Sequence, residues 1–381
     1  MTNQREQKGL VVFGGSFDPI HNGHLRIARA AGAFLHADVA FLPAKKARWK
    51  SHCALPSDRL AMLEATIRED ESKNGGDVRF LIDRTEIDSP SEDPDYTVLT
   101  LRRIKQSHPG VKLYLLLGAD QVNKFPDWME PEEITRLATP VYCPRPGEEI
   151  DINVASCYGF IPLGYGESGE VSSSKVRALQ SLDIPDSVLR YIEDHRLYFV
   201  GEVAKRMGEH RLAHSISVAN LSKRIALQNG LKSPEKAYIA GLLHDIAKEM
   251  REAEAKKEMG RSHPEYLDMP EWTYHQFNAV SIAQSEFGVE DGEILQAIEF
   301  HASAAPNIGD IAKIVYSADK IEPGRGYDSA YMIERCLEDL NEGFKLVLRE
   351  NMAYLGSKGY SIDNRLTRQA VEFYLGKAQE K

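Results

Sequence analysis

The chain has 381 residues, of which 42% are hydrophobic and 27% are charged, a balance typical of globular proteins. Its length exceeds the usual size of one domain, so two domains are expected. The 47 basic and 57 acidic residues leave a net charge of -10, which argues against a general affinity for nucleic acid or an anionic membrane.

Short apolar runs alternate with helical patterns from residue 8 to about residue 200. The predicted strands lie in GLVVFGG, ADVAFLPA, VRFLID, KLYLLLGAD, TPVYCPRPG and YGFIPL, and helices are predicted to begin near Gly23, Ser57 and Thr97. Continuous apolar strands separated by helices are typical of a parallel sheet that is covered on both faces. We therefore expect a doubly wound α/β domain over residues 1–200.

The strand pattern fades in the second half of the chain. Apolar residues recur there at helical spacing in AHSISVANLSKRIALQNG, PEKAYIAGLLHDIAKEM, NAVSIAQSEFG, GEILQAIEFHA and IAKIVYSADKI. We therefore expect an all-α domain over residues 201–381.

A loop rich in glycine and histidine follows the first predicted strand, in LVVFGGSFDPIHNGHLRIARAAG. Gly14 and Gly15 let the backbone approach a ligand closely. His21 and His24 are three residues apart, so a helix beginning near Asn22 would put both imidazoles at its positive end. This pattern predicts an anion site, and the alternative is that the two histidines only cap the helix.

The spacing of this loop is not that of a GxGxxG or Walker loop. It resembles the HxGH signature of the nucleotidyltransferase superfamily, whose members transfer AMP or CMP from a nucleoside triphosphate to an acceptor such as a phosphate. SSSKVR at residues 172–177 resembles the second phosphate motif of that superfamily. The reaction requires the alignment of two anions and stabilisation of charge at the α-phosphate. The resemblance implies catalytic roles for His21, His24 and Arg177, with Mg²⁺ accompanying ATP.

Further motifs of the first half narrow the resemblance. FLPAKKARWK, SDRLAML, YTVLTL, LLLGADQV, FPDW and CPRPG follow in the order found in nicotinate mononucleotide adenylyltransferases, and IPDSVLRYIEDHRLY resembles their closing helix. The resemblance implies the reaction of ATP with nicotinate mononucleotide to give deamido-NAD and pyrophosphate. The substrate-binding residues that it implies are Gly14, Gly15, Ser16, Phe17, Asp18, Lys50, Thr97, Gly118, Asp120, Trp128, Ser172, Ser173 and Ser174.

Some of these residues also have ordinary structural interpretations. Trp128 could be a core aromatic, Thr97 a helix cap, Asp120 a turn residue and Lys50 a solvated lysine. Two segments depart from the family: ARWK stands where Pro-Pro-His-Lys is usual, and YTVLTL has Leu99 in place of an acid. Both lie near the expected acceptor side, so adenylyl transfer to another acceptor, such as pantetheine phosphate, is the alternative.

The predicted helical domain contains a His-Asp pair in the apolar stretch AGLLHDIAKE. More histidines and an aspartate occur on the neighbouring predicted helices. The candidate metal ligands are His214, His244, Asp245, His275, His301 and Asp319. Nitrogen and oxygen ligands on successive helices are the usual way in which helical domains hold metal ions.

The order of these residues resembles that of the HD superfamily of metal-dependent phosphohydrolases. HRLAHS, LLHDIAK, AIEFHAS and ADKIEPGR are most similar to the HD-type symmetrical diadenosine tetraphosphate hydrolases. The resemblance implies one metal held by His214, His244, Asp245 and Asp319, and a second metal held with the help of His275 and His301. Iron, manganese or cobalt would be the ion. Asp245 and Lys248 would take part in catalysis, and Arg325 would face phosphate.

The second resemblance also has departures and alternatives. ASAAPN follows His301 where the family has Thr-Gly-Arg-Pro, and Ala279 replaces a glycine. Lys248 and Arg325 could be surface residues. A nucleotide phosphatase, or a nucleotide-binding regulatory module without turnover, is therefore the alternative function of this half.

The N-terminal sequence MTNQREQKG lacks the apolar core of a signal peptide, and the four cysteines form no CxxC pair. These features predict a cytoplasmic protein. The expected ligands are small nucleotides (ATP, nicotinate mononucleotide and a dinucleoside polyphosphate), and neither nucleic acid nor a membrane is expected as a partner. The sequence does not indicate an oligomeric state.

Overall fold

The computed structural model describes residues 9–46, 53–74, 76–90, 95–144, 147–164, 171–359 and 364–376. The chain divides into two compact units, the first formed by residues 1–177 and 181–198 and the second by residues 178–180 and 199–381. None of the described helices is long and apolar enough to cross a membrane.

The first unit is an α/β structure. Its described strands are β1 (Gly9–Gly15), β2 (Ala37–Pro43), β3 (Phe80–Ile82), β4 (Leu113–Gly118), β5 (Thr139–Cys143) and β6 (Ile161–Pro162). Its helices are α1 (Asn22–Leu35), α2 (Pro56–Asn74), α3 (Thr97–Ser107), α4 (Ala119–Val122), α5 (Pro131–Leu137), α6 (Ile152–Cys157), α7 (Ser173–Arg177) and α8 (Asp186–Asp194). The strands form one parallel sheet in the order β3-β2-β1-β4-β5-β6, which confirms the predicted doubly wound architecture.

The order of the strands determines where a ligand can bind. β1 lies between β2 and β4, so the connections that leave β1 and β4 run in opposite directions. In doubly wound sheets such a switch point leaves a crevice beyond the carboxyl ends of the two strands. The HxGH loop follows β1, and Gly118 ends β4. Both segments therefore lie at the edge of the sheet where a nucleotide is expected.

The second unit is helical, as predicted. Its helices are α9 (Tyr198–Ala204, whose first residue belongs to the first unit), α10 (Glu209–Gln228), α11 (Pro234–Leu243), α12 (Glu252–Ser262), α13 (Tyr274–Phe287), α14 (Gly292–Glu299), α15 (Asp310–Ile321), α16 (Ala330–Glu338), α17 (Leu340–Ser357) and α18 (Arg365–Leu375). Helix α10 packs against α11 and α15. A Cβ on Gly241 of α11 would lie 2.8 Å from the Cα of Ala219 on α10, so glycine allows these two helices to approach closely.

The His-Asp pair was expected on a helix, and in this detail the prediction is wrong. Helix α11 ends at Leu243, and His244 follows it. The backbone then continues in tighter turns, with Ile246 N donating to Leu243 O (3.1 Å) and Lys248 N to Asp245 O (2.9 Å). Both members of the pair are buried in these turns, with His244 0% and Asp245 4% exposed.

Candidate active sites

The HxGH loop of the first unit is anchored by the buried carboxylate of Asp18. Its oxygens accept hydrogen bonds from Cys53 N (2.8 Å), Ala54 N (3.1 Å) and the hydroxyl of Tyr198 (2.8 Å). Burial beside Asp18 raises the pKa of Tyr198 far above its usual range, so the phenol remains a donor. Asp18 thus holds the loop in place from within the protein.

The two histidines of the loop form a stacked pair at the start of α1. Their ring centroids are 3.6 Å apart, and His21 is the N-cap residue. His24 N donates to Nδ1 of His21 (3.4 Å), and His21 N donates to Nδ1 of His24 (3.3 Å). The two histidines therefore cap α1, with their rings together at its positive end. This geometry is compatible with the predicted anion site and with the alternative of capping alone.

The ring of Phe17 packs against this pair of histidines. Its ring contacts that of His24 edge-on, with the centroids 5.1 Å apart, and its φ of 46° lies in the left-handed region. A Cβ on Gly23 would lie 2.8 Å from Cγ1 of Val171 and 3.0 Å from Nδ1 of His21, so glycine makes room for the stacked ring.

The SSSKVR motif lies against the same loop. Ser173 Oγ donates to the carbonyl of Pro19 (2.9 Å), and Arg177 donates to the carbonyl of Asp18 (2.6 Å). The hydroxyls of Ser172 and Ser174 are 3.0 Å apart. The structure therefore brings both predicted phosphate motifs together, although they are separated by about 150 residues of sequence.

A cleft of 1270 Å³ opens beside the ends of β1 and β4. The predicted residues that line it are Gly14, Gly15, Ser16, Thr97, Gly118 and Trp128. A Cβ on Gly14 would meet Leu42 at 4.0 Å, which leaves the backbone open to a ligand. Glu86 also lines the cleft and accepts a hydrogen bond from the hydroxyl of Thr100 (2.9 Å), and burial raises the pKa of Glu86 to about 7. No motif in the sequence had marked Glu86.

The residues predicted for the acceptor side differ in their surroundings. Trp128 packs on Phe125, with the ring centroids 5.3 Å apart, and it also lines the cleft. Its position is therefore compatible with a role in the core and with a role in substrate binding. Thr97 is the first residue of α3, and Tyr96 takes the N-cap position that the alternative gave to Thr97.

Asp120 lies in the first turn of α4, directly after β4, and a Cβ on Gly118 would come 2.5 Å from its carboxylate. Leu99, which replaces an acid, packs against the core of the sheet. Lys50 and the rest of the ARWK segment lie outside the described residues.

The second unit gathers all six predicted ligands into one buried cluster. Nε2 of His214 lies 3.1 Å from Oδ1 of Asp319, and Nε2 of His275 lies 3.1 Å from Nε2 of His301. Oδ1 of Asp245 is 3.4 Å from His275 and 3.5 Å from His301. Within the described part of the chain, three triads have ligand atoms within 4.8 Å of one another: His214-His244-Asp245, His244-His301-Asp319 and Asp245-His275-His301.

The pKa values of Asp245 and His275 are shifted in the direction that favours metal binding, whereas that of His244 is raised, because Asp245 and Asp319 outweigh the effect of burial. Burial by itself raises the pKa of Asp245, but the imidazoles of His244 and His301 hold it well below its usual range. Burial, His301 and Lys248 lower the pKa of His275. Ionised carboxylates and neutral imidazoles are the forms that bind metals.

Cationic side chains surround the carboxylates of the cluster. Lys248 and Arg325 are exposed, and each also contacts the cluster: Lys248 lies 3.1 Å from Nε2 of His275, and Arg325 contacts a carboxylate oxygen of Asp319. Arg211 contacts Asp245, and Lys320 contacts Asp319 (2.7 Å). Sequence reasoning had missed Arg211 and Lys320.

Comparison with known proteins agrees with these two sites. A cytidylyltransferase-like family model matches residues 12–179, and an HD domain model matches residues 211–324. A protein of Aquifex aeolicus named "Probable nicotinate-nucleotide adenylyltransferase" is 40% identical over 36% of this chain and 77% of its own length. One of the same name from Roseiflexus is 36% identical over 49% of this chain and 96% of its own. The chain belongs to the nicotinate-nucleotide adenylyltransferase family.

Those two relatives match half of this chain or less, whereas other relatives match most of it. A Mycoplasma genitalium protein named "Probable nicotinate-nucleotide adenylyltransferase/Ap4A hydrolase" is 27% identical over 89% of this chain and 97% of its own length. The predicted combination of a nucleotidyltransferase with an HD domain in one chain is confirmed.

The HD residues fit a divalent metal. Among the described residues, Nε2 of His244 has no hydrogen-bond partner; it is buried and lies 3.7 Å from a carboxylate oxygen of both Asp245 and Asp319. A buried polar atom without a partner is costly unless something binds it. Its nearest neighbours are metal-ligand oxygens, so a cation would satisfy it.

Proposed function

We propose that residues 1–200 transfer AMP from ATP, with Mg²⁺, to nicotinate mononucleotide and release pyrophosphate. The observation that carries this proposal is the stacked histidine pair at the positive end of α1, which belongs to the same loop as Gly14, Gly15 and Ser16 in the lining of the cleft. The names of the relatives give the same acceptor. The cleft exceeds the ~300–1,000 Å³ that one drug-sized ligand fills, in keeping with two nucleotides.

In this reaction a phosphate oxygen of the acceptor forms a bond to the α-phosphorus of ATP, and the bond from that phosphorus to pyrophosphate breaks. No nucleophilic side chain is needed, because the acceptor oxygen is already anionic. His21, His24 and Arg177 would stabilise the charge that develops on the phosphates, and Ser172, Ser173 and Ser174 would hold the triphosphate. Gly14, Gly15, Ser16, Gly118 and Asp120 would bind the nucleotide, with Lys50 on phosphate and Thr97 and Trp128 beside the pyridine ring.

We predict that the enzyme releases pyrophosphate from ATP only when an acceptor is added, and that nicotinate mononucleotide is the best acceptor. The measurement is pyrophosphate release with nicotinate mononucleotide, nicotinamide mononucleotide and pantetheine phosphate in parallel. A higher kcat/KM with pantetheine phosphate would overturn the acceptor assignment. Absence of release with every acceptor would overturn adenylyl transfer.

For residues 201–381 we propose an HD phosphohydrolase that cleaves a dinucleoside polyphosphate such as diadenosine tetraphosphate. A bound pair of Fe, Mn or Co ions would supply Lewis acidity at the phosphate and lower the pKa of water. Asp245 would orient the ligands on both of its sides, because its Oδ1 faces His275 and His301 while Oδ2 faces His244. Lys248 and Arg325 would contact substrate phosphates.

We predict symmetrical cleavage of diadenosine tetraphosphate to two ADP, because the histidines on both sides of Asp245 would hold two metal ions, and such a pair would bind the central phosphates. Chromatography of the products after incubation with Mn²⁺ tests this, with chelator as the control. Formation of ATP and AMP would contradict symmetrical attack. If no nucleotide substrate were cleaved with Mn²⁺, Fe²⁺ or Co²⁺, the alternative of a nucleotide-binding regulatory module would replace the hydrolase.

The proposal includes a cytoplasmic location and small nucleotides as ligands, with no nucleic acid or membrane as a partner. It is supported by the net charge of -10, the four free thiols and the nucleotide chemistry of both sites.

A further inference from the structure

A buried carboxylate lies directly behind one of the proposed metal ligands. Glu322 follows the last residue of α15 and is 2% exposed. Its Oε1 is 3.0 Å from Nδ1 of His214, and its Oε2 accepts hydrogen bonds from the hydroxyl of Ser217 (2.7 Å) and from Gly324 N (2.6 Å). Both carboxylate oxygens are therefore used within the protein, and neither belongs to the ligand triads.

The contact with Glu322 determines which nitrogen of His214 faces the cluster. Both ring nitrogens face a carboxylate oxygen, but a cation bound at the cluster would need the lone pair of Nε2, and the hydrogen of the neutral ring would then be on Nδ1 and donate to Glu322. Nε2 of His214 points to Oδ1 of Asp319, at 3.1 Å. The ring is thus oriented with its ligating nitrogen toward the other ligands.

The other three histidines of the cluster are oriented in a different way. Their Nδ1 atoms contact backbone carbonyls three residues earlier in the chain: His244 with Gly241 O (2.7 Å), His275 with Trp272 O (2.8 Å) and His301 with Ile298 O (2.7 Å). Among the four, His214 has a carboxylate there instead. A charged acceptor makes a stronger hydrogen bond and increases the basicity of the opposite nitrogen.

We propose that Glu322 is a positioning residue of the HD metal centre, which fixes the tautomer and orientation of His214 and strengthens the bond from Nε2 to the metal. Ser217 and Gly324 N hold the carboxylate in that position. This inference rests on the proposed metal centre, and it assigns a role to Glu322, which lies in ADKIEPGR but was not among the candidate site residues of the sequence analysis.

The test measures Mn²⁺ affinity in the full-length chain, after removal of bound metal with a chelator. Free Mn²⁺ is followed by electron paramagnetic resonance in wild type, Glu322→Ala and Glu322→Gln. We expect Glu322→Ala to raise the Kd for Mn²⁺ by about 10–100-fold, the usual effect of losing such a partner. Glu322→Gln should give a smaller increase, because the amide oxygen still accepts from Nδ1 but without the charge.

The matched control is Asp291→Ala. Asp291 is also a carboxylate that accepts two backbone hydrogen bonds, from Glu293 N (2.9 Å) and Ile294 N (3.3 Å), but it caps α14 and belongs to none of the triads. The Asp291→Ala variant should have a lower free energy of unfolding than wild type and an unchanged Kd for Mn²⁺. A merely structural role of Glu322 would make both alanine variants behave alike.

The outcomes separate this inference from the proposed function. Wild-type Mn²⁺ affinity in a folded Glu322→Ala protein would overturn the positioning role and leave the metal centre intact. If the alanine variant does not fold, an unchanged Kd in Glu322→Gln would overturn the role in the same way. A wild-type chain that binds no Mn²⁺ would overturn the metal centre itself, and the inference with it.

Discussion

The His24→Ala variant is expected to lower the rate of adenylyl transfer by about two to four orders of magnitude. The proposal gives the ring of His24, which stacks on His21 at the positive end of α1, the role of a donor to the phosphates. A donor aimed at charge that develops in the transition state contributes roughly 10²–10³-fold, and one that also protonates or neutralises a phosphate contributes up to about 10⁴-fold.

The measurement is pyrophosphate release in a single turnover, which separates the chemical step from product release. The variant should lower kcat far more than it raises KM. A rise in KM with kcat unchanged would mean that His24 binds ATP equally in the ground state, and the proposed role would be wrong.

Folding should change little in this variant. The substitution removes one acceptor of the reciprocal cap at the start of α1, which costs about 1 kcal/mol. Chemical denaturation measures that loss, and His195→Ala is a suitable control because His195 is an exposed histidine that stacks on Tyr191. The control should keep full activity.

The sequence predicted the strand and helix around the HxGH loop well. The run GLVVFGG is apolar throughout and ends in two glycines, and such a run before a helix is specific enough to predict β1, the loop and α1. The acceptor side was predicted less well. Glu86 meets Thr100 only after the chain has folded, so no spacing in the sequence could show the carboxyl that lines the cleft.

In the helical unit, too, some residues of the site could be recognised only in the folded structure. Six candidate ligands were predicted because histidine and aspartate are conspicuous on apolar helices, and the structure brings all six together. Arg211 lies one helical turn before His214, and Lys320 and Glu322 lie in ADKIEPGR, so a signal was present in the motifs. Charged residues beside a motif usually face solvent. Only the tertiary structure distinguishes Glu322, 2% exposed behind His214, from such a residue.

The Asp245→Ala variant is expected to reduce phosphohydrolase activity by on the order of 10³-fold or more, since several kcal/mol of metal-dependent charge stabilisation would be lost. Asp245 belongs to the triad with His214 and His244 and to the triad with His275 and His301. Its removal therefore weakens both proposed metal positions, whereas the loss of His214 or His275, each of which belongs to one triad, would weaken mainly one. Metal content after dialysis should fall together with activity.

Adenylyl transfer should be nearly unchanged in Asp245→Ala, because every residue proposed for that reaction precedes position 180 and lies in the first compact unit. Asp310→Ala is the matched control: this exposed aspartate pairs with Lys313 (3.0 Å) and belongs to none of the triads, so both activities and the metal content should be retained. Asp245→Asn keeps the shape of the side chain and removes its charge. If it lost metal as Asp245→Ala does, the negative charge would be the essential property; if Asp245→Ala retained metal and hydrolysis within about tenfold of wild type, the cluster would not be the hydrolytic centre.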